Sequence, residues 1–431
     1  MELAIIGLLF LGTLLFLYAL GVPVAVAMGA TVIVVMVSPY GPGMNASLLS
    51  NQLLYGLNSF TLLAIPFYLV LGRLMNRSGM TEEIFEFANA IIGHVKGGIG
   101  YVNVTASMIF SGMSGLALAD AAGLGRIEYA AMREYDYDKD IALGITGSSA
   151  IIGPIIPPSV PIIIYGVLAE ESIGDLFLAG IIPGLLLGAF LLGMVFIAAL
   201  KRGYGGAGEF SITNVVRSFS GAFAALLIPV LIVGGILSGI FTATEAGAIT
   251  VVYVVIVGTV LGDLTLTGII EEIRDATVET FALTFIIAVA AAYGLVALEL
   301  RLPMMMADAV TAVTDNPTMV LLLLVVLFLV VGTFMETIAA ITILVPVLMP
   351  VVDMVGIDPI HFGIVMILTL MIGLLTPPFG VILFVLEKVT DATLEEVMYA
   401  VIPWYIPLII VLLLVIFIPD LTTYIPYELS Q

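Results

Sequence analysis

The stretch Gly147-Ser-Ser-Ala-Ile-Ile-Gly-Pro-Ile-Ile-Pro-Pro-Ser159 interrupts a long apolar segment in the first half of the chain. Three of the five residues from 154 to 158 are proline. Each proline removes a backbone donor and its ring collides with the preceding turn, so an α-helix cannot run through them. Unwound backbone at membrane depth is tolerated only where it lines a cavity or is buried in protein. The stretch therefore predicts a broken helix beside a binding cavity.

A second interruption, Gly373-Leu-Leu-Thr-Pro-Pro-Phe-Gly380, lies 220 residues further along. The same offset pairs Gly112 with Gly332 and Ile182-Pro183 with Ile402-Pro403. The alternative is coincidence in a chain rich in glycine, alanine and isoleucine. We interpret the shared offset as a duplication that carries one broken helix in each half.

The composition indicates a membrane protein. Of the 431 residues 61% are hydrophobic and only 10% are charged, whereas soluble proteins average about 25% charged residues. Runs of about 20 apolar residues mark membrane-spanning helices. The chain has no cysteine and a net charge of −20, which argues against iron–sulfur clusters and nucleic-acid partners. His94 and His361 have no neighbours at metal-ligand spacing, so a zinc site is not expected.

Hydropathy predicts an all-α polytopic fold with about ten crossings and two re-entrant hairpins. The orientation follows from lysine and arginine, which are enriched in cytoplasmic loops. With the N-terminus outside, Arg301 is the only basic residue on the outer side. The crossings are residues 2–20, 22–38, 58–77, 139–168, 173–200, 219–241, 243–262, 276–298, 358–387 and 401–418, and the hairpins are 97–133 and 317–352.

With this topology the two halves have opposite orientations, which predicts the inverted repeat typical of secondary transporters. The first repeat is 1–200, the linker on the cytoplasmic side is 201–218, and the second repeat is 219–431. The expected scaffold helices lie in 1–77 and 219–298, and each repeat continues with a hairpin, a broken helix (139–168 or 358–387) and a last helix (173–200 or 401–418).

The hairpin tips read Phe110-Ser-Gly-Met-Ser-Gly-Leu-Ala-Leu-Ala-Asp120 and Val331-Gly-Thr-Phe-Met-Glu-Thr337. Glycine permits sharp reversal and close helix approach, and hydroxyl and unwound carbonyl oxygens suit sodium. Asp120 and Glu336 are either functional intramembrane carboxylates or capping groups. Each proline break could equally be a simple kink, and each hydroxyl could bond back to its own helix.

These residues resemble the large membrane subunit of tripartite ATP-independent periplasmic (TRAP) transporters. The resemblance is carried by 153–166, 356–363 and 376–380 and by Thr242-Ala-Thr-Glu-Ala-Gly247, where Ala243 replaces the usual proline. It implies an elevator-type importer of an organic acid, driven by a sodium gradient, in the inner (cytoplasmic) membrane. It also implies two partners, a small four-helix membrane subunit expected as a separate chain and an extracytoplasmic substrate-binding protein.

The resemblance and the interruptions together nominate two sets of residues. The expected sodium ligands are Ser111, Gly112, Gly153, Pro154, Gly332, Thr333, Glu336, Thr337, Gly373 and Thr376. The expected substrate contacts are Ser114, Pro157, Pro158, Ser159, Pro377 and Pro378. Leu116, Ala117 and Thr369 depart from the family pattern, as does Glu336, where aspartate is common.

Three other functions were weighed. A stand-alone sodium- or proton-coupled carboxylate transporter would share the duplicated architecture. An intramembrane enzyme would need a reactive constellation, and the chain has no His-Glu-x-x-His or Gly-x-Gly-Asp pattern. A channel would need a charged pore ring or a selectivity filter, and the sequence contains neither.

Overall fold

The computed structural model describes residues 2–39, 41–43, 45–206, 209–261, 264–312, 314 and 316–429, with the side chains of 2–5, 8, 46, 111–114, 310, 311 and 429 excepted. The regular secondary structure of these residues is helical, with no β-strand among them. This confirms the prediction of an all-α protein.

The α-helices are numbered in chain order, and two 3₁₀ turns lie at Phe60–Leu63 and Ile402–Trp404. They are α1 Glu2–Ala19, α2 Val24–Val37, α3 Ala46–Tyr55, α4 Ala64–Arg77, α5 Met80–Ile92, α6 Gly98–Ser114, α7 Ala117–Ala122, α8 Leu124–Glu134, α9 Lys139–Ala150, α10 Val160–Ala169, α11 Ile173–Arg202, α12 Ile212–Leu237, α13 Ala243–Leu261, α14 Leu266–Glu299, α15 Leu302–Thr311, α16 Pro317–Phe334, α17 Thr337–Val355, α18 Pro359–Leu374, α19 Val381–Val389, α20 Leu394–Val401, α21 Tyr405–Phe417 and α22 Asp420–Leu429.

Seven helical segments of the described chain are long and apolar enough to cross a membrane. They are α11, α12, α13, α14, α16, α17 and the segment Leu394–Phe417. Helices α3 and α4 form a pair bent by 54° that could make an eighth span. The protein is therefore a multi-pass membrane protein, as predicted. Five of these segments match expected crossings, whereas α16 and α17 lie in the expected hairpin 317–352. Other expected crossings fall short in length because their apolar helices, among them α2, α10 and α18, have only 10–17 residues.

Two helices extend beyond their predicted limits. Helix α12 begins at Ile212, inside the segment 201–218 that was expected to be a linker. The Ser211 hydroxyl caps it by accepting a hydrogen bond from the Asn214 backbone nitrogen at 3.4 Å. Helix α14 begins at Leu266, ten residues before the predicted crossing, and Thr265 caps it in the same way. A capped polar turn lengthens each helix beyond its apolar part.

The helix boundaries recur at the offset of 220 residues. Adding 220 to the bounds of α6 gives 318–334, within one residue of α16. The same step carries 117–134, which α7 and α8 occupy, onto 337–354, and α17 spans Thr337–Val355. It carries the start of α9 to 359, where α18 begins, and the start of α10 to 380, one residue before α19. The Pro157–Pro158 and Pro377–Pro378 peptide bonds are both cis.

Hydrogen bonds join the interrupted segments of the two halves. The Tyr165 hydroxyl on α10 donates to the Pro359 carbonyl oxygen at the start of α18, at 2.6 Å. Lys139 at the start of α9 donates to the Asp391 carbonyl oxygen at 2.8 Å and to Glu396 at 3.0 Å. The Tyr129 hydroxyl on α8 donates to the Asp391 carboxylate, and this bond holds the pKa of Asp391 below its ordinary value. These contacts join α10 to α18, and they join α8 and α9 to the start of α20.

Candidate functional site

The first tip, defined as residues 115–116 between α6 and α7, packs directly on the first break, residues 151–159 between α9 and α10. Gly115 has φ +60°, the left-handed conformation that glycine adopts without strain. A Cβ atom on Gly115 would lie 2.6 Å from the Pro158 carbonyl oxygen and 3.0 Å from the Ser159 Cα atom. Glycine is therefore required here, both by its conformation and by the approach of the tip to the break.

The first break is held by its own polar groups. The Ser159 hydroxyl donates to the Pro154 carbonyl oxygen at 2.6 Å and accepts from the Ile162 backbone nitrogen at 3.2 Å. Ser159 is thereby the N-cap of α10. Ser159 is fully buried, and its hydroxyl is engaged in these two bonds.

Asp120 on α7 lies against the first break at Gly153. Its side chain is 2% exposed. A Cβ atom on Gly153 would lie 2.4 Å from Asp120 Oδ2, so only glycine lets this carboxylate reach the break. A buried carboxylate on unwound backbone places negative charge where a cation would be held.

The second tip, residues 335–336 between α16 and α17, lies beside the second break, residues 375–380 between α18 and α19. Here the contact is made by two glycines just before the tip and the break. A Cβ atom on Gly332 would lie 3.0 Å from the Gly373 Cα atom, and one on Gly373 would lie 2.7 Å from the Gly332 Cα atom. The two backbones are in contact, and neither position has room for a side chain.

Glu336 caps α17. Its Oε2 atom accepts hydrogen bonds from the backbone nitrogens of Ile338 at 2.9 Å and Ala339 at 3.2 Å. The neighbouring Thr337 is 1% exposed, and its hydroxyl oxygen has no hydrogen-bond partner among the described residues. A carboxylate next to an unpaired buried hydroxyl is a donor set that suits a hard cation such as sodium.

Two other expected sodium ligands bond to their own helices. The Thr333 hydroxyl donates to the Val330 carbonyl oxygen and the Thr376 hydroxyl to the Ile372 carbonyl oxygen, each at 2.7 Å. Their oxygens keep lone pairs, but the hydroxyl hydrogens are used locally. The side chains of 111–114, which include the expected site residues Ser111, Gly112 and Ser114, lie outside the part of the chain that the structure describes.

A central cavity of about 400 Å³ lies where the interrupted segments meet. Both tips, the first break and the end of α18 line it, together with Glu279 and Leu283 of α14. The lining residues of the interrupted segments are Leu116, Ala117, Leu118, Ala119, Pro154, Pro161, Glu336, Ile338, Met371 and Leu374.

Of the nominated residues whose side chains the structure describes, Pro154 and Glu336 appear in this lining. Pro157 and Pro158 are buried behind it, whereas Pro377 is half-buried and Pro378 is exposed. The two breaks therefore differ in their surroundings. The first break is covered by α11, where a Cβ atom on Gly180 would lie 2.3 Å from the Ile155 carbonyl oxygen.

Sequence reasoning missed Glu279, which lines the cavity from a helix remote in the sequence. The signal that could have found it is a carboxylate inside the crossing predicted at 276–298, since such residues are costly and usually functional. Sequence reasoning also missed a buried polar network behind the first tip. Asn103 on α6 donates to the Thr146 hydroxyl at 3.0 Å and accepts from the Ser149 hydroxyl at 2.8 Å on α9.

The donor chemistry of the site is oxygen only. Among the described residues no group of three or more histidine, cysteine, aspartate or glutamate side chains could hold a metal ion. The site offers carbonyl, hydroxyl and single carboxylate oxygens as ligands, and these suit alkali cations rather than zinc.

An all-α, multi-pass chain whose interrupted helices meet around a central cavity has the build of a membrane transporter. The chain belongs to the DctM component family of the tripartite ATP-independent periplasmic transporters, whose family model matches residues 11–421. It is therefore the large permease subunit of such a system and not an enzyme.

Relatives of known name support this membership. The chain is 44% identical over 407 residues to the sialic acid TRAP transporter large permease protein SiaM of Vibrio cholerae, covering 94% of this chain and 95% of that protein. It is 42% identical over 378 residues to the sialic acid TRAP transporter permease protein SiaT of Haemophilus influenzae, covering 88% of this chain and 61% of that longer protein.

A solved structure shows a similar fold. The YdaH transporter of Alcanivorax borkumensis superposes with a TM-score of 0.63 over 87% of this chain and 89% of that chain. The sequence identity is 15%, so the likeness concerns the fold alone.

Proposed function

We propose that this permease imports an organic acid anion together with sodium ions, through the central cavity. The observation that carries the proposal is the close approach of the interrupted segments in both halves. Gly115 packs on the first break, and Gly332 of α16 packs on Gly373 of α18. Leu116, next to the first contact, and Leu374, next to the second, line the same cavity of about 400 Å³. Such a cavity has the size of small-molecule sites, which span about 300–1,000 Å³.

The proposed sodium sites lie at the two tips. The unpaired Thr337 hydroxyl and the Glu336 carboxylate support the site at the second tip. The Asp120 carboxylate beside Gly153 supports the site at the first tip. Sodium bound at these oxygens would order each tip against its break.

Charge explains why sodium and the anion would travel together. The central cavity is lined by the carboxylates of Glu279 and Glu336 and otherwise by apolar groups. An organic anion entering alone would meet like charges in a medium that solvates it poorly, which is costly. Bound sodium ions compensate this charge, so that the loaded cavity becomes a place where the anion can bind.

The proposed motion is of the elevator type, with the two hairpins and the two broken helices moving as one body. The hydrogen bonds from Tyr165 to Pro359 and from Lys139 to Asp391 support a single body, because they join the two halves. Helices α1, α2, α4, α12, α13 and α14 would form the scaffold. The inverted repeat and the N-terminus outside are part of the proposal and follow from the distribution of lysine and arginine.

The proposed partners are a small four-helix subunit and an extracytoplasmic binding protein, in the inner (cytoplasmic) membrane. The scaffold helices α2 and α13 expose apolar side chains that suit lipid or the small subunit, for example Ile33, with 63% of its surface accessible, and Val260, with 79%. The relatives SiaM and SiaT are named for sialic acid, which makes a carboxylated sugar a reasonable first substrate to test.

Uptake into proteoliposomes tests this function. The permease is reconstituted with its small subunit, and labelled sialic acid and C4-dicarboxylates are supplied with the cognate binding protein. Accumulation is expected only with an inward sodium gradient and with the binding protein. Uptake by this chain alone would support the stand-alone carboxylate transporter instead, and uptake driven equally by a proton gradient would contradict sodium coupling.

A further inference from the structure

A second cavity, of about 370 Å³, adjoins the central one. The two cavities share Leu116, Ala119 and Glu279 in their linings. The second cavity extends from there to Arg73 and Asn76 near the end of α4. In the proposed topology this end of α4 faces the cytoplasm, so the second cavity lies on the route by which an imported substrate leaves.

Arg73 is the one basic residue among the described residues that line these two cavities. Its Nη2 atom lies 3.0 Å from Glu279 Oε2, and its Nη1 atom lies 3.6 Å from Glu272 Oε2. Both Arg73 and Glu279 have 37% of their side chains exposed, and both line the second cavity. Glu279 therefore belongs to both cavities and is at the same time bonded to the arginine in the second.

The energetics of this pair make an exchange of partners easy. A half-exposed ion pair contributes little net stability because water solvates both charges well when they separate. The guanidinium group binds carboxylates in a bidentate geometry, and it does so equally well whether the carboxylate belongs to the protein or to a ligand. An anion that reaches the second cavity can thus replace Glu279 at small cost.

We infer that Arg73 is a binding residue for the carboxylate of the transported anion on the cytoplasmic side. The anion leaves the central cavity past Glu279, exchanges with the Glu279 carboxylate for the guanidinium of Arg73, and is released when Glu279 re-forms its ion pair. This inference rests on the proposed function, since it assigns a second subsite for the same substrate. It makes Glu279 a competitor of the substrate, which speeds release.

The chain offers a matched control for Arg73. Arg77 lies one helical turn further along α4 and is also ion-paired, with its Nη2 atom 2.9 Å from Glu271 and its Nη1 atom 2.9 Å from Glu272. It lines neither cavity. A structural role of ion pairs between α4 and α14 would affect both arginines alike, whereas a role in binding the anion concerns Arg73 alone.

The test measures sodium-coupled exit from proteoliposomes preloaded with labelled substrate at a series of internal concentrations. For Arg73→Gln we expect the half-saturating internal concentration to rise about tenfold, which corresponds to about 1.4 kcal/mol. For Arg77→Gln we expect a change within about twofold, since exposed pairs are weak. For Glu279→Gln we expect the half-saturating concentration to fall, because the competitor is removed.

The outcomes are distinguishable. Equal effects of Arg73→Gln and Arg77→Gln would show a structural role and overturn the inference. The same holds if Arg73→Gln lowers the melting temperature but leaves the half-saturating concentration unchanged. A rise with Glu279→Gln would also overturn it. Arg73→Lys keeps the charge without the bidentate geometry and is expected to fall between wild type and Arg73→Gln. A wild-type protein that moves no organic anion would refute the proposed function itself.

Discussion

Replacement of Gly373 by alanine is expected to reduce uptake by about 5- to 150-fold. The added Cβ atom would lie 2.7 Å from the Gly332 Cα atom and 2.9 Å from the Gly332 carbonyl carbon, distances that side-chain carbons do not tolerate. Both neighbouring atoms are backbone, so α16 and α18 must separate to make room. Overpacking costs about 1–3 kcal/mol, which lowers the equilibrium constant for forming this contact by about 5- to 150-fold.

The measurement is the initial rate of uptake in proteoliposomes, together with the melting temperature in detergent. Gly234→Ala is the matched control, because Gly234 lies inside the helix α12 with nothing within 4 Å of its Cβ position. We expect Gly234→Ala to transport normally and to melt slightly higher, since alanine favours a helix over glycine. Wild-type uptake by Gly373→Ala would mean that the contact between the second tip and the second break is not required.

Replacement of Glu336 by glutamine is expected to raise the half-saturating sodium concentration by about tenfold or more. A polar bond to a charged group contributes about 1.5–3 kcal/mol, against about 0.5–1.5 kcal/mol for a bond between neutral groups. The difference of about 1–1.5 kcal/mol corresponds to about tenfold. The glutamine carbonyl can still accept from the Ile338 and Ala339 nitrogens, so the helix cap is preserved and the effect isolates the charge.

Sodium titration of uptake at saturating substrate measures this effect. Glu336→Asp keeps the charge and is expected to bind sodium more tightly than Glu336→Gln. Glu245 offers a control, because its carboxylate likewise accepts a backbone hydrogen bond at a helix start, from the Thr242 nitrogen at 2.8 Å, but it lies outside the central cavity. If Glu336→Gln and Glu245→Gln left the sodium dependence equally unchanged, the assignment of Glu336 would be wrong.

The interruptions of the helices could be predicted because proline acts locally. Helix α9 ends at Ala150 and α10 begins at Val160, which is the interval marked by the prolines from 154 to 158. The pair Pro377-Pro378 lies in the corresponding interval between α18 and α19. A single proline does not end every helix, since Pro183 lies inside α11 and Pro229 inside α12. At both breaks two adjacent prolines remove consecutive backbone donors, so these positions could be predicted from the sequence.

The lining of the cavity was less predictable because it depends on tertiary packing. Pro154 and Glu336 were nominated from local motifs and do line it. Arg73 and Glu279 are 206 residues apart, and only the packing of α4 against α14 brings them together. The capping bonds of Ser159 likewise depend on a rotamer that residue type alone does not specify.

The central claim is that the hairpins and broken helices move as one body against the scaffold. The chain has no cysteine, so pairs of introduced cysteines can carry spin labels without background. The test pair is Lys388→Cys on α19 with Val260→Cys on α13. The control pair is Lys388→Cys with Tyr135→Cys, just after α8. All three positions are exposed.

Pulsed electron-paramagnetic-resonance distances with and without sodium and substrate decide the question. If these segments move as one body, the distance between positions 388 and 260 shifts by on the order of 10 Å, a third of the roughly 30 Å hydrocarbon core. The distance between positions 388 and 135 should stay constant. A constant distance in the first pair, or equal changes in both pairs, would contradict the account.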